Sequence, residues 1–351
     1  MRLLITTQAV DADDPILGFF HRWIEELAAR FDSIEVVCLK LGRSDLPKNV
    51  RVHSLGKEGI VSSKQKAVSR KFKYSFRFIR LAWRLRRDYD AVFVHMNEEY
   101  VLLFGLVWRL MNKRTVLWRN HKMGSLATSI ATLLAHTVCY TSPGAFVATR
   151  SSAVQMPIGI DTDRFAPPAT PAPANTVLFL GRLDPVKKVE VFINALAELA
   201  QRGVAFRAES YGEPTVPGDP YAEVLKRTAK PLVDSGSFVF HRAVTHEETP
   251  AIYGAHAVYV NLTPSGSFDK TIGEAMACGC IVVCANGAVR GVVGEGLMTR
   301  DDDAHDVARA LEHALGLSSA ARAEEAVKLR AYIERNHSLS LLVGKLVTLY
   351  R

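Results

Sequence analysis

The sequence predicts an α/β protein built from two doubly wound domains. A length of 351 residues suits about two domains of roughly 150 residues each. Short, nearly continuous apolar segments alternate with helical patterns, as expected of parallel strands covered on both faces. One proline-rich segment interrupts this alternation. We therefore expect a first domain over 1–165, a linker over 166–175, a second domain over 176–335, and a C-terminal helix over 336–351 with the first domain as its candidate packing partner.

In the first domain, five apolar segments predict the strands. They are RLLITT at 2–7, IEVVCL at 34–39, AVFVH at 91–95, TVLWR at 115–119 and HTVCYT at 136–141. A helix is expected over about 19–29, and further helical stretches separate the later strands. Ligands of such sheets bind beyond the carboxyl ends of the strands, which in a two-domain protein predicts a cleft between the domains.

The linker APPATPAPAN holds four of the chain's 15 prolines and has no periodic apolar pattern. After it, strands and helices alternate again. The predicted order is VLFL, a helix over about 185–201, FRAESYG, a helix near 221–235, FVFH, a short helix near 249–253, AVYVNL, a helix that holds Glu274, and IVVCAN.

Composition excludes several classes of protein. Hydrophobic residues make up 48% and charged residues 23% of the chain, which is typical of a globular protein and not of a disordered one. Five cysteines without a CxxC pair argue against a disulfide framework and a structural zinc site. The start MRLLITTQAV leads into DADD and not into a signal-peptide core, and the longest apolar tract, at 100–111, is too short to span a bilayer. A cytoplasmic protein is expected.

Positive charge is concentrated in the first half. Residues 1–168 hold 25 Lys and Arg against 15 Asp and Glu, and ten of these basic residues lie between 64 and 87 without an acid. In a helix, Phe72, Phe76, Ile79 and Trp83 would share one face. Two interpretations stay open: a domain helix that packs these aromatics inward, or a surface that docks on anionic lipid headgroups, which would make the protein peripheral to the membrane. Nucleic acid is not expected as a partner, since no nucleic-acid motif accompanies the charge.

Two segments of the second domain predict a phosphorylated ligand. The segment SGSFDKTIGEAMACG at 265–279 places small residues before a helix, where backbone N–H groups and the helix dipole favour anions. The segment VLFLGRLDPVKK carries a strand directly into Gly181, Arg182 and Lys187. Asp184 followed by Pro185 predicts a helix start with both lysines in its first turn.

The chain resembles the retaining glycosyltransferases of family 4, which have the GT-B fold. The matching segments are GRLDPVKK at 181–188, GEAMACG at 273–279 and GIDTDRF at 159–165. The resemblance implies transfer of a sugar from a nucleotide diphosphate sugar to a hydroxyl acceptor without a metal or other cofactor. It implies a role in cell-envelope polysaccharide or glycolipid synthesis, with a lipid-linked or glycan acceptor.

The resemblance also assigns roles to individual residues. Arg182 and Lys187 would hold the donor diphosphate and stabilise the leaving nucleotide. Glu274 would bind the ribose hydroxyls, although Thr271 three residues earlier also allows a simple capping box. His121 would lie near the donor sugar and Gly18 beside the diphosphate.

One departure from the family pattern concerns the sugar contacts. The glutamate that usually stands eight residues before Glu274 is replaced by Gly266. Asp269 or Lys270 would supply these contacts instead, and the backbone N–H groups of Ser267 and Phe268 would still serve the phosphate. The missing glutamate also supports an alternative function, a catalytically degenerate binding or scaffold protein of GT-B shape. A nucleotide-sugar epimerase or a phosphorylase of similar fold is a further alternative.

Overall fold

The computed structural model describes residues 1–57, 64–264 and 267–351, without the side chains of residues 64–70. These residues form two compact units. The first unit comprises Met1–Pro157 together with Ser340–Arg351, and the second comprises Ile158–Leu339.

A parallel sheet with the strand order β3-β2-β1-β4-β5-β6-β7 forms the centre of the first unit. Its strands are β1 (Arg2–Val10), β2 (Ser33–Leu41), β3 (Val50–Ser54), β4 (Ala91–His95), β5 (Arg114–Trp118), β6 (Thr137–Tyr140) and β7 (Ala153–Gln155). The helices between them are α1 (Gly18–Ala28), α2 (Lys64–Arg84), α3 (Glu99–Leu110) and α4 (Leu126–Leu134). The five predicted strands are confirmed. The two edge strands, β3 and β7, were not predicted because they are short, half-exposed and without a continuous apolar segment.

The second unit repeats this design with the strand order β10-β9-β8-β11-β12. Its strands are β8 (Thr176–Leu180), β9 (Arg207–Tyr211), β10 (Phe238–His241), β11 (Val258–Asn261) and β12 (Ile281–Cys284). Its helices are α5 (Val189–Gln201), α6 (Pro220–Asp234), α7 (Thr249–Gly254), α8 (Lys270–Ala277), α9 (Ala304–Leu315) and α10 (Ser319–His337). All strand pairings in both sheets are parallel, so the carboxyl ends of the strands of each sheet lie at one edge.

The boundary between the units differs from the expected one. The second unit begins at Ile158, and the predicted linker at 166–175 lies inside it. The physical reason is burial, because Ile158, Ile160 and Phe165 belong to the hydrophobic core of the second unit. Arg330 also donates hydrogen bonds to the carbonyls of Thr162 and Phe165, which holds this segment in place.

The end of the chain returns to the first unit. Helix α11 (Leu339–Thr348) is followed by Tyr350, whose Oη donates a hydrogen bond of 3.1 Å to the carbonyl of Val92 in β4. The ring of Tyr350 also lies 5.9 Å from that of Phe31. Residues 340–351 are therefore part of the first unit's packing.

Helix α2 does not pack in the way that its aromatic spacing first suggested. Phe78 and Ala82 form its buried face, and Leu85, directly after the helix, is buried as well. Phe72 is 75% exposed and Trp83 is 52% exposed, and Phe76 and Ile79 are exposed as well. The expectation that these four apolar side chains pack inward is therefore wrong.

None of the described helices is long and apolar enough to cross a lipid bilayer. All five cysteines are free and buried. Burial raises the pKa of each of these thiols above its ordinary value, which keeps them protonated at neutral pH.

Candidate functional site

The candidate site is built on loops that leave the carboxyl edge of the second sheet. The loops after β8 and β9 meet backbone to backbone, because the N–H of Gly181 donates a hydrogen bond of 3.0 Å to the carbonyl of Tyr211. Gly212 has a φ of +152°, and a Cβ at this position would lie 2.0 Å from the carbonyl oxygen of Gly181. Glycine is therefore required at 212 for this close approach of the two loops. The approach fixes the backbone at Gly181 and so positions Arg182, which follows it.

Arg182 lies in a partly exposed cluster with Asp184 and Thr215. Its Nη1 lies 2.8 Å from Asp184 Oδ2 and 3.0 Å from Thr215 Oγ1, and 41% of its side chain is exposed. The Thr215 hydroxyl also donates a hydrogen bond of 2.8 Å to Asp184. Asp184 stands at the N-cap position of the short helical turn that begins at Pro185, as the sequence predicted, but its side chain makes no capping hydrogen bond.

The predicted helix over 185–201 is divided at Lys188. A short 3-10 turn, Pro185–Lys187, comes first, and α5 begins only at Val189. Lys188 between them has φ +56° and ψ +39°, the left-handed conformation that glycine adopts most readily.

Lys187 turns inward and joins a hydrogen-bonded network. Its Nζ lies 2.5 Å from Asp269 Oδ2 and 3.1 Å from Thr263 Oγ1. The side chains of Lys187 and Asp269 are only 16% and 15% exposed. Asn261 Nδ2 and the hydroxyl of Thr263 donate two further hydrogen bonds to the same carboxylate oxygen. The two charges therefore compensate each other in a mostly buried position.

The environment of Asp269 fixes its charge. Burial alone would raise the pKa of its carboxyl, but the charge and hydrogen bond of Lys187 and the hydrogen bonds from Asn261 and Thr263 hold that pKa well below its usual range. Asp269 is also the N-cap of α8, because its carboxylate accepts a hydrogen bond from the backbone N–H of Thr271. The Thr271–Glu274 capping box is therefore not formed, and that alternative for Glu274 is wrong.

Glu274 instead lies against two side chains that the sequence did not identify. Its Oε1 is 3.0 Å from His246 Nε2, and its Oε2 accepts a hydrogen bond of 3.2 Å from Tyr253 Oη. The Glu274 side chain is 4% exposed. A carboxylate has about four acceptor positions, so this arrangement orients Glu274 and leaves it capacity to accept further O–H donors.

The GIDTDRF segment packs behind this cluster. The ring of Phe165 lies 5.2 Å from that of His246 and 6.1 Å from that of Tyr253. Arg164 donates a hydrogen bond of 3.5 Å to the carbonyl of His246. A motif that ends 109 residues before Glu274 thus positions the partners of this glutamate. No local sequence signal could have identified His246 or Tyr253, because their contacts with Glu274 are long-range.

Helix α8 approaches the start of the second unit closely. A Cβ at Gly273 would lie 2.6 Å from Ile158 Cδ1, so only glycine fits without movement. Lys270 Nζ donates hydrogen bonds of 2.7 and 2.9 Å to the carbonyls of Ile158 and Gly159. Burial lowers the pKa of this amine to about 7, although the charge of Glu274 acts in the opposite direction. Lys270 therefore binds the backbone of its own unit in this structure.

The loop before α8 is described only in part. The carbonyl of Ser267 accepts a hydrogen bond of 2.9 Å from Asn286 Nδ2, and Phe268 is buried with its ring 4.9 Å from that of His337. Both contacts hold this part of the loop against the rest of the second unit. Ser265 and Gly266, the residue at the position of the missing glutamate, lie outside the described residues.

The two predicted residues of the first unit lie in a separate body. Gly18 is the first residue of α1, and its N–H donates a hydrogen bond of 2.9 Å to the carbonyl of Asp14. His121 is exposed after β5, and its Nδ1 lies 3.0 Å from both the N–H and the carbonyl oxygen of Met123.

The second unit brings together Lys187, Asp269 and Thr271 in one network and sets Glu274 and Lys270 on the same helix.

Across the described ranges 1–57, 64–264 and 267–351, no group of three or more His, Cys, Asp or Glu side chains is arranged to hold a metal ion.

Comparison with known proteins gives a family match for part of the second unit. Residues 174–316, which include Arg182, Lys187 and Glu274, match the family Glycosyl transferases group 1. A GDP-mannose-dependent alpha-(1-6)-phosphatidylinositol monomannoside mannosyltransferase from Mycolicibacterium smegmatis is 34% identical over 145 residues, 36% of this chain and 37% of that protein. A D-inositol 3-phosphate glycosyltransferase from Rhodococcus erythropolis is 32% identical over 142 residues, 39% of this chain and 32% of that protein. The match thus spans about a third of the length of these relatives.

Solved structures match over almost the whole chain. HepE from Anabaena in complex with UDP and glucose has a TM-score of 0.76 at 15% identity, covering 99% of this chain and 98% of that one. Sucrose-phosphate synthase from Thermosynechococcus elongatus also has a TM-score of 0.76, at 19% identity, covering 100% and 98%. These similarities identify the fold. The chain therefore has the GT-B fold, and its residues 174–316 match the glycosyl transferases group 1.

Proposed function

We propose that this protein is a glycosyltransferase that moves a hexosyl group from a nucleotide diphosphate sugar to a hydroxyl acceptor. The observation that carries this proposal is the arrangement at the carboxyl edge of the second sheet. There, Arg182 and Lys187 follow β8, and Glu274 is oriented on α8 by His246 and Tyr253. Two cations and an oriented carboxylate suit a diphosphate and a ribose, respectively.

In this proposal two cations act on the diphosphate of the donor. Arg182 and Lys187 bind the diphosphate and stabilise the negative charge that develops on the leaving nucleotide. Lys187 would then leave Asp269 or share its charge with it. We propose that transfer proceeds with retention at the sugar and without a metal ion, and that His121 and Gly18 take part in donor binding.

Glu274 is the proposed ribose contact. Its carboxylate is held on one side by His246 and Tyr253 and has acceptor positions left for two hydroxyl groups. Asp269 is tied to Lys187 and Lys270 to two backbone carbonyls, so a sugar contact from either would require its present partners to be exchanged.

The acceptor is proposed to be a lipid-linked glycan or glycolipid of the cell envelope. The curated mannosyltransferase relative acts on a phosphatidylinositol monomannoside, according to its name. The basic segment at 64–87 agrees with a peripheral position at an anionic membrane surface, where such an acceptor presents its headgroup.

A nucleotide-binding experiment with Glu274→Gln tests the proposal. Purified protein is mixed with UDP-, GDP- and dTDP-sugars, and the thermal shift identifies the donor, since a ligand at 100 times its Kd stabilises by about 2.7 kcal/mol. Glu274→Gln retains the size and an acceptor for Tyr253 but loses the charge. We expect about tenfold weaker binding of the nucleotide, or about 1.4 kcal/mol, with little change in Tm.

Glu312→Gln is the matched control, because Glu312 is an exposed glutamate on α9 that pairs with Arg202. Nucleotide affinity that is the same in the Glu274 and Glu312 variants would contradict the ribose assignment. Tight donor binding without transfer to any acceptor in lipid extracts would favour the degenerate scaffold protein instead.

A further inference from the structure

Helix α2 presents an apolar stripe to solvent beside a row of cations. Phe72, Phe76, Ile79 and Trp83 lie on one side of the helix, about 110° from the buried Phe78 and Ala82, at 100° per residue. The exposed side chains of Lys73, Arg80 and Arg84 follow the same stripe along its edge. A stripe of aromatic residues with basic residues at its edge is the pattern of a helix that lies in a membrane interface.

The two following helices extend this apolar surface. On α3, Leu106 and Leu110 are exposed four residues apart, and Leu110 is 79% exposed. On α4, Leu126, Ile130 and Leu133 are exposed at the i, i+4 and i+7 spacing of one helix face. Each helix therefore carries its own outward apolar stripe in addition to the face that packs on the sheet.

All three helices belong to one layer. Buried residues of α2, α3 and α4 share a single hydrophobic cluster with the first sheet, and α3 contacts both other helices. Arg109 on α3 donates hydrogen bonds to the carbonyls of Leu133, Leu134 and Ala135 at the end of α4. These hydrogen bonds connect α3 to the end of α4. We call the solvent side of this layer, with the stripes named above, the outer face.

The charge around the outer face is positive. Residues 100–157, which include most of α3 and all of α4, contain six basic residues and no acidic one. The whole first unit holds 26 Lys and Arg against 13 Asp and Glu, a net charge of +13, whereas the second unit holds 18 against 23, a net charge of −5. Only the first unit thus has the charge that an anionic surface attracts.

The second unit shows that exposed apolar stripes are not a general property of this chain. Every exposed large apolar side chain described in the second unit is a valine, such as Val224, Val239 and Val327. The outer face instead exposes phenylalanine, tryptophan, leucine and isoleucine. Large apolar side chains on three neighbouring helices are the kind of surface that marks a docking site.

We infer that the outer face docks on the surface of an anionic lipid bilayer. The apolar side chains of α2, α3 and α4 enter the boundary between headgroups and acyl chains, and the surrounding lysine and arginine side chains bind lipid phosphates. The inference rests on the proposed membrane association and deepens it, because it assigns the apolar contact to all three helices and not to charge on α2 alone. It does not depend on glycosyl transfer.

The test compares two triple variants in binding to phosphatidylcholine vesicles with and without phosphatidylglycerol. The first variant carries Leu110→Ser, Leu126→Ser and Leu133→Ser, which leaves every charge in place. The control carries Val224→Ser, Val239→Ser and Val327→Ser in the second unit. Wild-type protein and the control should sediment equally with the anionic vesicles, and the leucine variant should bind at least about tenfold more weakly.

Tryptophan fluorescence gives a second measurement. Of the four tryptophans, Trp23, Trp108 and Trp118 are buried and Trp83 is exposed. A blue shift on addition of anionic vesicles, abolished by Trp83→Phe, should report insertion of α2. Circular dichroism and nucleotide binding of each variant show that it is folded.

Four outcomes would overturn the inference. Wild-type protein that ignores anionic vesicles at low salt would remove the proposed membrane association as well. Unchanged binding of the leucine variant would restrict docking to charge or to α2, and binding without a shift of Trp83 would exclude insertion. A wild-type dimer that the leucine variant dissociates in the absence of lipid would identify a second copy of the chain as the partner.

Discussion

Two cation clusters follow the same strand, β8, and differ mainly in the exposure of the cation, since the carboxylates Asp184 and Asp269 are 17% and 15% exposed. Arg182 pairs with Asp184 and is 41% exposed. Lys187, five residues later, pairs with Asp269, and both of these side chains are exposed by 16% or less. Each cluster also includes a threonine hydroxyl, Thr215 in the first and Thr263 in the second.

This difference in exposure predicts that replacement of the two cations affects the stability of the fold to different extents. An exposed ion pair contributes about 0–1 kcal/mol, because water solvates both partners nearly as well. Removal of one partner from a buried pair costs about 3–5 kcal/mol, since the other charge is left without compensation. Arg182 can therefore be exchanged with little effect on folding, whereas Lys187 holds the second unit together in addition to its proposed catalytic role.

The largest effect is expected for Lys187→Met. The free energy of unfolding should fall by about 3 kcal/mol or more, because the charge of Asp269 remains buried without a cation. Urea unfolding monitored by circular dichroism measures this loss. Lys226→Met, which removes an exposed lysine paired with Glu223, is the matched control and should change stability by less than about 1 kcal/mol.

The double variant Lys187→Met with Asp269→Asn sharpens this comparison. Neutralisation of Asp269 removes the unpaired charge, and asparagine still caps α8. The double variant should therefore be more stable than Lys187→Met alone. A double variant with the summed loss of both single variants would show that the two residues act independently.

An effect that depends on pH is expected for Asp269→Asn. Because the pKa of Asp269 is lowered in the folded protein, its ionised form contributes stability that is complete above the unfolded pKa of about 3.9 and is lost as the pH falls through the folded pKa. The stability difference between wild type and Asp269→Asn should be constant above about pH 5 and should narrow below about pH 4. Urea unfolding at a series of pH values measures it, and a difference that stays constant down to pH 3 would contradict the assigned charge.

The smallest effect on stability is expected for Arg182→Ala. Its Tm should change little, since its contacts are partly exposed, whereas turnover should fall at least about tenfold, or about 1.4 kcal/mol in activation free energy. Arg242→Ala removes another arginine that follows a strand of the same sheet. This variant controls for the loss of a positive charge. Equal turnover of Arg182→Ala and wild type would remove Arg182 from the proposed diphosphate site.

The sequence predicted the parts of this structure that depend on local pattern. Strands such as β4, AVFVH, are continuous apolar segments, and the structure places β4 at 91–95 as expected. The exposed stripe of α2 was also visible as a periodic pattern. Periodicity shows which side chains share a face but not which face meets the core, so it could not decide that Phe78 and not Phe72 is buried.

The parts that the sequence did not predict depend on long-range contacts or on a single backbone angle. The positive φ of Lys188 ends the expected helix, and no residue type signals it, because lysine rarely adopts this conformation. The partners of Glu274 are 28 and 21 residues away in the chain. The burial of Lys187 depends on Asp269, which is 82 residues later.

The five buried thiols give this chain a built-in reporter of partial opening. Cys38 and Cys139 belong to the first unit, and the other three, at 278, 280 and 284, belong to the second. A buried, protonated thiol reacts with an alkylating reagent only when its surroundings open. Brief alkylation followed by mass spectrometry can therefore report the opening free energy of each unit separately within the intact chain. With donor nucleotide present, slower alkylation confined to the thiols at 278–284 would locate binding in the second unit without an activity assay.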